Sequence, residues 1–388
     1  MPMNGSRRAA YVFAFSGAML LACSVGGCHG GSRATTRSAQ SFGDQSELPA
    51  PVRTSDTYEA FGLLGYRPEW VGYAVMPSGR RVTLVSIFDD IVTVHNTGNL
   101  LSALETRTGA IRWSAQMASS QERFVGTGRT ASGDVLSCSQ GEVFVLDSKT
   151  GIPKDRHRLV SLANTPPVVV DAMVLFGCNN GEVLALNLNS GYKQWGHVLT
   201  GAIRADLVRV RDYVAAVSDG GDVVVLEPTR GELRGRAKIF GGSDAPIAAS
   251  EEALFISSLD QSLWSFGLDG APAAWRMRTE FPLRDKPVYH EGHVYAAVPG
   301  QGLVCVNAAT GEKKWTLEGQ GGHVVGVRGD KLVVWDGATA VTVDPERGDA
   351  DNRVTLEGTR DLLTDAFVDG NLYAITPRGQ VSKFSPRK

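Results

Sequence analysis

Short apolar runs separated by polar turns recur along most of the chain. Residues 166–195 show the pattern well: the apolar run Pro167–Val170 is followed by Met173–Gly177, Glu182–Asn187 and Tyr192–Trp195, with Asn-, Asp-, Ser- and Gly-rich turns between them. Asn and Gly tolerate the positive φ of hairpin turns, and short runs with this punctuation are typical of strands. We therefore predict a unit of four short strands, named A to D in chain order.

This unit repeats along the chain. A glycine after the third strand marks the period, at Gly109, Gly151, Gly191, Gly231, Gly270, Gly311 and Gly348. A repeat of about 40 residues built only from short strands predicts the blade of a β-propeller, because helical repeats of similar length would show a 3.6-residue periodicity. The predicted fold is all-β, a single eight-bladed β-propeller over residues 58–388.

The last unit is incomplete. Thr364–Phe384 supplies strands A to C and then ends, which would leave an unpaired sheet edge. The segment Trp70–Ala74 precedes the first strand A, and we predict that this N-terminal strand pairs with the last blade and closes the ring. Seven blades is the competing count.

The start of the chain resembles an export signal. Within residues 1–22, the basic pair Arg7 and Arg8 precedes the apolar run Ala9–Leu21. This run is shorter than the ~20 residues that a transmembrane helix needs. We therefore predict a cleaved signal peptide over residues 1–22.

A cysteine directly follows this segment. Leu20–Cys23 is similar to a bacterial lipobox, whose cysteine is acylated, and Cys28 is the second candidate. Three acyl chains on Cys23 would hold the protein stably at a membrane. Residues 23–57 lack hydrophobic periodicity and are predicted to be a flexible tether. An ordinary cleaved signal with incidental cysteines is the alternative.

The three remaining cysteines are Cys138, Cys178 and Cys305. They form no CxxC pair and have no zinc-site spacing, so we predict that they are small core residues. Cys138 and Cys178 occupy the same place in successive repeats. A bridge between them would need Cα atoms within ~7 Å.

Charge and motifs argue against several classes of function. The formal net charge is −2 and no basic cluster is present, which argues against nucleic-acid binding. The motif His290-Glu291-Gly292-His293 suggests a metal site, but zinc needs further ligands. The repeat places this motif in an A–B turn. It places the acidic pairs Asp89-Asp90 and Glu251-Glu252 in the same turn of other blades. We predict solvated turns here, and we assign no catalytic, metal-binding or cofactor-binding residue.

Four tryptophans carry a family resemblance. Trp113, Trp195 and Trp315 end Gly-x-x-x-Trp segments that begin at the turn glycine, and Trp275 follows Gly270 with one extra residue. This phrase resembles the signature of PQQ-type, quinoprotein-like propeller repeats, over about residues 70–388. The resemblance implies that the tryptophans pack between adjacent blades. Blades two, four and seven lack such a tryptophan, so we expect looser junctions there.

A lipoprotein that consists of this propeller resembles the BamB-type factors of the β-barrel assembly machinery. The resemblance implies a non-enzymatic scaffold that binds protein partners, among them the barrel-inserting component. Neither candidate cysteine is followed by Asp, and in this respect the chain resembles lipoproteins of the outer membrane. We therefore expect the lipid anchor in the outer membrane and the propeller in the periplasm.

The alternative is a PQQ-dependent dehydrogenase-like enzyme or a ligand-sensing propeller. Enzymes of that kind resemble this repeat but need a calcium site, an Asp base and usually two adjacent cysteines. This chain has no Cys-Cys pair and is short for such an enzyme.

Partner binding is expected on the loops that join strand D to the next strand A, because binding residues concentrate on loops over a rigid scaffold. These loops are predicted over residues 114–123, 155–165, 234–245, 276–285 and 349–363. Arg276, Arg278, Phe281 and Arg284 combine charge with an aromatic ring, a composition enriched at interfaces. They form the candidate partner-binding loop.

Overall fold

The computed structural model describes residues 57–388. The predicted signal peptide, both candidate acylation sites, Cys23 and Cys28, and all of the predicted tether but its last residue lie outside these residues. The described part contains 32 strands and a single helix, and the strands form eight four-stranded sheets. The predicted eight-bladed, all-β propeller is confirmed. No helix in the described part is long and apolar enough to cross a membrane.

Each of the first seven blades takes its strands A to D consecutively from the chain. The strands of blades 1 to 4 are β2 (Val82–Ile87), β3 (Ile91–Asn96), β4 (Leu100–Glu105) and β5 (Ile111–Gln116); β6 (Phe124–Arg129), β7 (Val135–Ser139), β8 (Glu142–Leu146) and β9 (Pro153–Arg158); β10 (Val168–Val170), β11 (Met173–Gly177), β12 (Glu182–Asn187) and β13 (Tyr192–Val198); β14 (Val208–Val210), β15 (Tyr213–Val217), β16 (Asp222–Leu226) and β17 (Leu233–Lys238).

Blades 5 to 7 continue the order, and blade 8 joins the two ends of the described chain. Their strands are β18 (Ala248–Ala249), β19 (Ala253–Ser258), β20 (Ser262–Gly267) and β21 (Ala273–Arg278); β22 (Val288–His290), β23 (His293–Val298), β24 (Gly302–Asn307) and β25 (Lys313–Glu318); β26 (His323–Arg328), β27 (Lys331–Trp335), β28 (Thr339–Val343) and β29 (Ala350–Thr355); β30 (Asp361–Thr364), β31 (Leu372–Ile375), β32 (Gln380–Pro386) and β1 (Tyr66–Tyr73).

The ring closes through β1, which forms strand D of blade 8. It runs antiparallel to β32, with Tyr66 opposite Pro386 and Tyr73 opposite Gln380. The predicted closure by an N-terminal strand is confirmed. The strand starts earlier than the predicted Trp70, because its first half lies on an exposed edge and carries polar residues that give no hydrophobic signal.

The helix α1 (Thr57–Leu63) was not expected from the sequence. It packs on blades 7 and 8, and the Phe61 ring stacks on Phe384 with a centroid distance of 3.6 Å and an interplanar angle of 9°. Phe61 and Leu64 are buried in one apolar cluster with Val354 of β29. A helix of seven residues is too short to show a clear helical periodicity, and it is too short to be stable in isolation.

Strand D is longer than the apolar pattern predicts. β9 and β13 carry mainly exposed polar side chains, since the outermost strand of a blade faces solvent and shows little hydrophobic alternation. The loops predicted to begin at Asp155, Arg234 and Arg276 are therefore strands at their start. The prediction that Arg276 and Arg278 lie in a loop is wrong, because both are on β21.

The core lies between the blades. Strands β11 and β12 are buried on both faces. Leu175 packs with residues of blade 4, whereas Val174 and Phe176 pack with residues of blade 2. Because successive side chains of a strand point to opposite faces, each middle strand serves two junctions at once. This arrangement places the strand D–A loops together on one face of the ring and the A–B and C–D turns on the other.

Candidate protein-binding surface

Indole rings join neighbouring blades at five junctions within residues 57–388. In each, the ring N–H donates a hydrogen bond of 2.8 to 3.0 Å to a backbone carbonyl in the C–D turn of the next blade. The donor and acceptor pairs are Trp70 and Thr106, Trp113 and Ser148, Trp195 and Pro228, Trp275 and Ala308, and Trp315 and Pro345.

The turn glycine makes this contact possible. Gly231 has a φ of +73°, and a Cβ there would lie 2.5 Å from the Trp195 ring. Trp70 makes the same contact with Gly109, although the sequence did not identify it, because β1 is separated from the rest of blade 8 by seven blades of sequence. These five tryptophans are structural contacts between blades.

The junctions without an indole differ from one another. In blade 2 the His157 ring lies over Gly191, the turn glycine of blade 3. In blade 4, Gly235 is opposite Val225, in the strand position of the tryptophan. In blade 7 helix α1 covers the junction. The lower stability of these three junctions, relative to the junctions with an indole, stays a prediction.

Arg276 is the anchored member of the predicted partner-binding residues. Its Nε donates to Ser262 Oγ at 2.8 Å, and its Nη2 lies 3.2 Å from Asp260 Oδ2. The guanidinium also sits 4.4 Å from the centroid of the Trp264 ring, a cation–π geometry. These contacts fix Arg276 on the outer surface of blade 5, where it supports its neighbours.

Phe240 lies above this arginine and was missed by the sequence analysis. Its side chain is 82% exposed, and its ring centroid is 6.5 Å from that of Trp264 and 6.0 Å from the Arg276 guanidinium. It belongs to the loop between β17 and β18, far in sequence from Phe281. The only available signal was a lone aromatic residue next to Gly241-Gly242 in a loop.

Phe281 and Arg284 lie in the loop that leaves blade 5. Phe281 is 49% exposed, and Arg284 forms an ion pair with Asp244 in the loop that enters the blade. Arg278 is exposed at the end of β21 and has no ion pair within residues 57–388. We call Phe240, Arg278, Phe281 and Arg284 the blade-5 patch; it lies on the face of the strand D–A loops.

Further apolar side chains lie on the same face. Val160 and Leu162 in the loop after β9 are 70% and 56% exposed, and Val198 at the end of β13 is 69% exposed. Blades 2 to 5 therefore present scattered apolar residues on this face. At blade 5, two aromatic rings lie on loops that an ion pair connects.

The opposite face carries the motifs that suggested metal or acid–base chemistry. His290 and His293 flank the A–B turn of blade 6 and are cross-strand partners. Asp90 is partly exposed and pairs with Arg112 of blade 1 and Arg129 of blade 2. Partial burial would raise the pKa of Asp90, but these two guanidinium groups hold it below its usual value. Within residues 57–388 no group of three or more His, Cys, Asp or Glu side chains is placed to hold a metal ion.

The cavity in the central channel is lined by no carboxylate that could bind calcium. This cavity has a volume of about 600 Å³ and its walls are mainly aliphatic, with Ser86, Lys286, His323 and Thr364 among the polar lining residues and no Asp or Glu. Calcium takes six to eight oxygen ligands and favours carboxylates. Burial lowers the pKa of His323 below its usual value.

The three cysteines of the propeller are buried and free of disulfides. Burial raises the pKa of the thiols of Cys178 and Cys305 to about 12. Their thiolate forms are therefore negligible at neutral pH, and these residues act as small apolar core groups.

Comparisons with known proteins agree with this architecture. The family described as outer membrane protein assembly factor BamB matches residues 74–269 and 219–387. A curated relative, the outer membrane protein assembly factor BamB of Bordetella pertussis, is 24% identical over 38% of this chain and 40% of its own length. An uncharacterized protein of Rickettsia conorii is 21% identical over 69% of this chain and 61% of its own length. The chain thus aligns with less than two thirds of each of these two relatives.

Two solved structures share the fold. The crystal structure of BamB from Moraxella catarrhalis superimposes with a TM-score of 0.64 at 17% identity, covering 81% of this chain and 97% of that one. The computationally designed Ika8 protein gives a TM-score of 0.66 at 14% identity, covering 82% and 99%. The family match spans nearly the whole propeller, and this chain therefore belongs to the BamB family of PQQ-repeat β-propellers.

Proposed function

We propose that this protein is a non-enzymatic scaffold of the cell envelope, lipid-anchored to the outer membrane through Cys23 or Cys28, which docks a protein partner of the β-barrel assembly machinery. The family match and the relative named as an assembly factor support this assignment. The propeller faces the periplasm, and the blade-5 patch is its docking surface.

The observation that carries this proposal is the exposed Phe240 ring, which lies beside Trp264 and Arg276. An 82% exposed phenylalanine leaves most of its apolar surface in water, and burying a side chain of this size stabilises a complex by ~1.5–3 kcal/mol. Aromatic and arginine residues dominate the binding energy of protein interfaces.

The Phe240→Ser, Phe281→Ser double variant tests the docking surface. We expect it to weaken partner binding at least about tenfold, because hot-spot truncations each cost ~2 kcal/mol or more. The measurement is recovery of the barrel-inserting component from detergent extracts of the native envelope. The matched control is Tyr192→Ser, which removes a 77% exposed aromatic residue from the opposite face.

Recovery with the wild-type protein and with Tyr192→Ser, but not with the double variant, supports the proposal. Recovery of the component by the double variant at the wild-type level would show that the partner docks elsewhere. Failure of the wild-type protein to recover it would remove the assignment to barrel assembly.

A further inference from the structure

A second candidate site lies between blades 2 and 3, on the face opposite the blade-5 patch. A cavity of about 370 Å³ opens there, lined by the A–B turns of both blades and the C–D turn of blade 3. In this junction Asp155 is opposite Val145, the strand position that holds Trp113 in blade 1, opposite Ala103. A carboxylate therefore replaces the indole that joins most other blades.

The buried side chain in this cavity has an unsatisfied nitrogen. His157 is 8% exposed and lines the cavity. Its Nε2 makes no hydrogen bond within residues 57–388 and lies 3.4 Å from Asp155 Oδ2. A buried polar atom without a hydrogen-bond partner destabilises the folded state, and a ligand with N–H groups would supply a hydrogen-bond donor to this nitrogen.

The negative charge of the cavity lining also favours a ligand that carries N–H groups. The carboxylates of Asp134, Asp155 and Asp171 line the cavity, and no Arg or Lys side chain does. Asp134 pairs with Lys154 at 2.7 Å, and Lys154 is not one of the residues that line the cavity. The remaining lining is small or apolar and includes Ala131 and Ala172.

The neighbouring junction shows what satisfies such a site. Between blades 1 and 2, Asp90 occupies the position of Asp134, directly before strand B, and it pairs with both Arg112 and Arg129. Arg129 ends strand A of blade 2, whereas Val170 ends strand A of blade 3. The Arg129 guanidinium in the junction of blades 1 and 2 therefore has no counterpart in the junction of blades 2 and 3.

We infer that the cavity between blades 2 and 3 binds the guanidinium group of an arginine side chain from a partner polypeptide. A planar group with five N–H donors suits acceptors that are spread around a cavity. A metal ion does not, since no three of the His, Cys, Asp or Glu side chains of the described chain converge as ligands. This site is independent of the blade-5 patch and of the proposed function.

Titration of the purified full-length protein with N-acetylarginine amide, followed by NMR of backbone amides, tests the inference. We expect shift changes at residues 130–134, 171–172 and 188–189, and weaker binding of the neutral citrulline analogue. The Asp155→Asn, Asp171→Asn double variant keeps the side-chain size, and Asn tolerates the φ of +52° at Asp171 as Asp does. This double variant should lower the affinity at least about tenfold, because hydrogen bonds to charged groups are stronger than those between neutral groups.

The matched control is Asp212→Asn, an exposed aspartate in the A–B turn of blade 4, which should bind like the wild type. Equal affinity of the double variant and the wild type would overturn the inference. So would equal binding of the citrulline analogue, or shift changes confined to other blades.

Discussion

His95 is a buried imidazole in the junction between blades 1 and 2. Its Nε2 lies 3.0 Å from Ser137 Oγ, and its ring centroid is 4.8 Å from that of Phe124. Its Nδ1 has no hydrogen-bond partner within the described residues. Burial lowers the pKa of His95 to about 4, because a charged imidazolium would lose its hydration there.

This side chain makes stability depend on pH. The unfolded state binds a proton at pH 6.5 and below, whereas the folded state resists protonation down to pH 4. The contribution of neutral His95 is therefore fully present above pH 6.5 and is lost as the pH falls towards 4, by up to about 3 kcal/mol. Urea denaturation of the wild type and of His95→Gln at several pH values checks this. The two proteins should differ in how much stability they lose between pH 6.5 and 4, and parallel curves would refute it.

Helix α1 shows how a short element depends on its packing. Its seven residues cannot form a stable helix alone, so the stacking of Phe61 on Phe384 and the burial of Leu64 hold it. The helix covers the junction of blades 7 and 8, where strand D of blade 7 carries Arg353 opposite Val341 in the position of the tryptophan. One added element thus compensates for a missing side chain.

Truncation of Phe61 tests this dependence. Phe61→Ala should lower the free energy of unfolding by about 3 kcal/mol, the usual cost of removing a buried aromatic ring. Leu63→Ala, at a position that is 38% exposed, is the control and should cost less than about 1 kcal/mol. The measurement is urea denaturation followed by circular dichroism. Equal midpoints for the two variants would mean that α1 does not stabilise the junction.

Several contacts between distant parts of the chain join blade 8 to blade 1. Trp70 on β1 donates to Thr106 O at 2.9 Å and packs on Gly109, which joins blade 8 to blade 1. Lys383 of β32 also donates to Thr106 O, at 3.1 Å. The junction between blades 8 and 1 closes the ring of blades. Loss of the contacts in this junction would therefore open the ring, whereas loss of another junction would weaken one internal contact.

Trp70→Ala is therefore expected to differ from Trp195→Ala, which removes the same contact within the ring. Both should lose about 3 kcal/mol of stability through the deleted ring. Only Trp70→Ala should also raise the hydrogen-exchange rates of amides in β1 and β32, because local opening becomes accessible there. Exchange measured by mass spectrometry checks this, and unchanged protection of these two strands in Trp70→Ala would contradict it.

The sequence by itself predicted the closure, most of the inner strands and eight blades, and only the structure excluded the competing count of seven. Strands B and C are buried on both faces, so their apolar runs, such as Met173–Gly177, stand out between turn residues. The turn glycines mark the period because the indole contact needs a residue without a Cβ, as at Gly231. Both signals are local and recur in each repeat, so they can be recognised in the sequence alone.

Only the tertiary structure decided the surface chemistry. Strand D faces solvent and has little hydrophobic alternation, so Arg276 was placed in a loop although it lies on β21. Phe240 and Phe281 lie in different loops, and His157 does not correspond to any residue that recurs in the repeat. The packing of adjacent blades decides which residues lie next to these side chains. Contacts between blades join residues about one repeat apart, and side-chain identity at one position does not reveal which residue will lie across the junction.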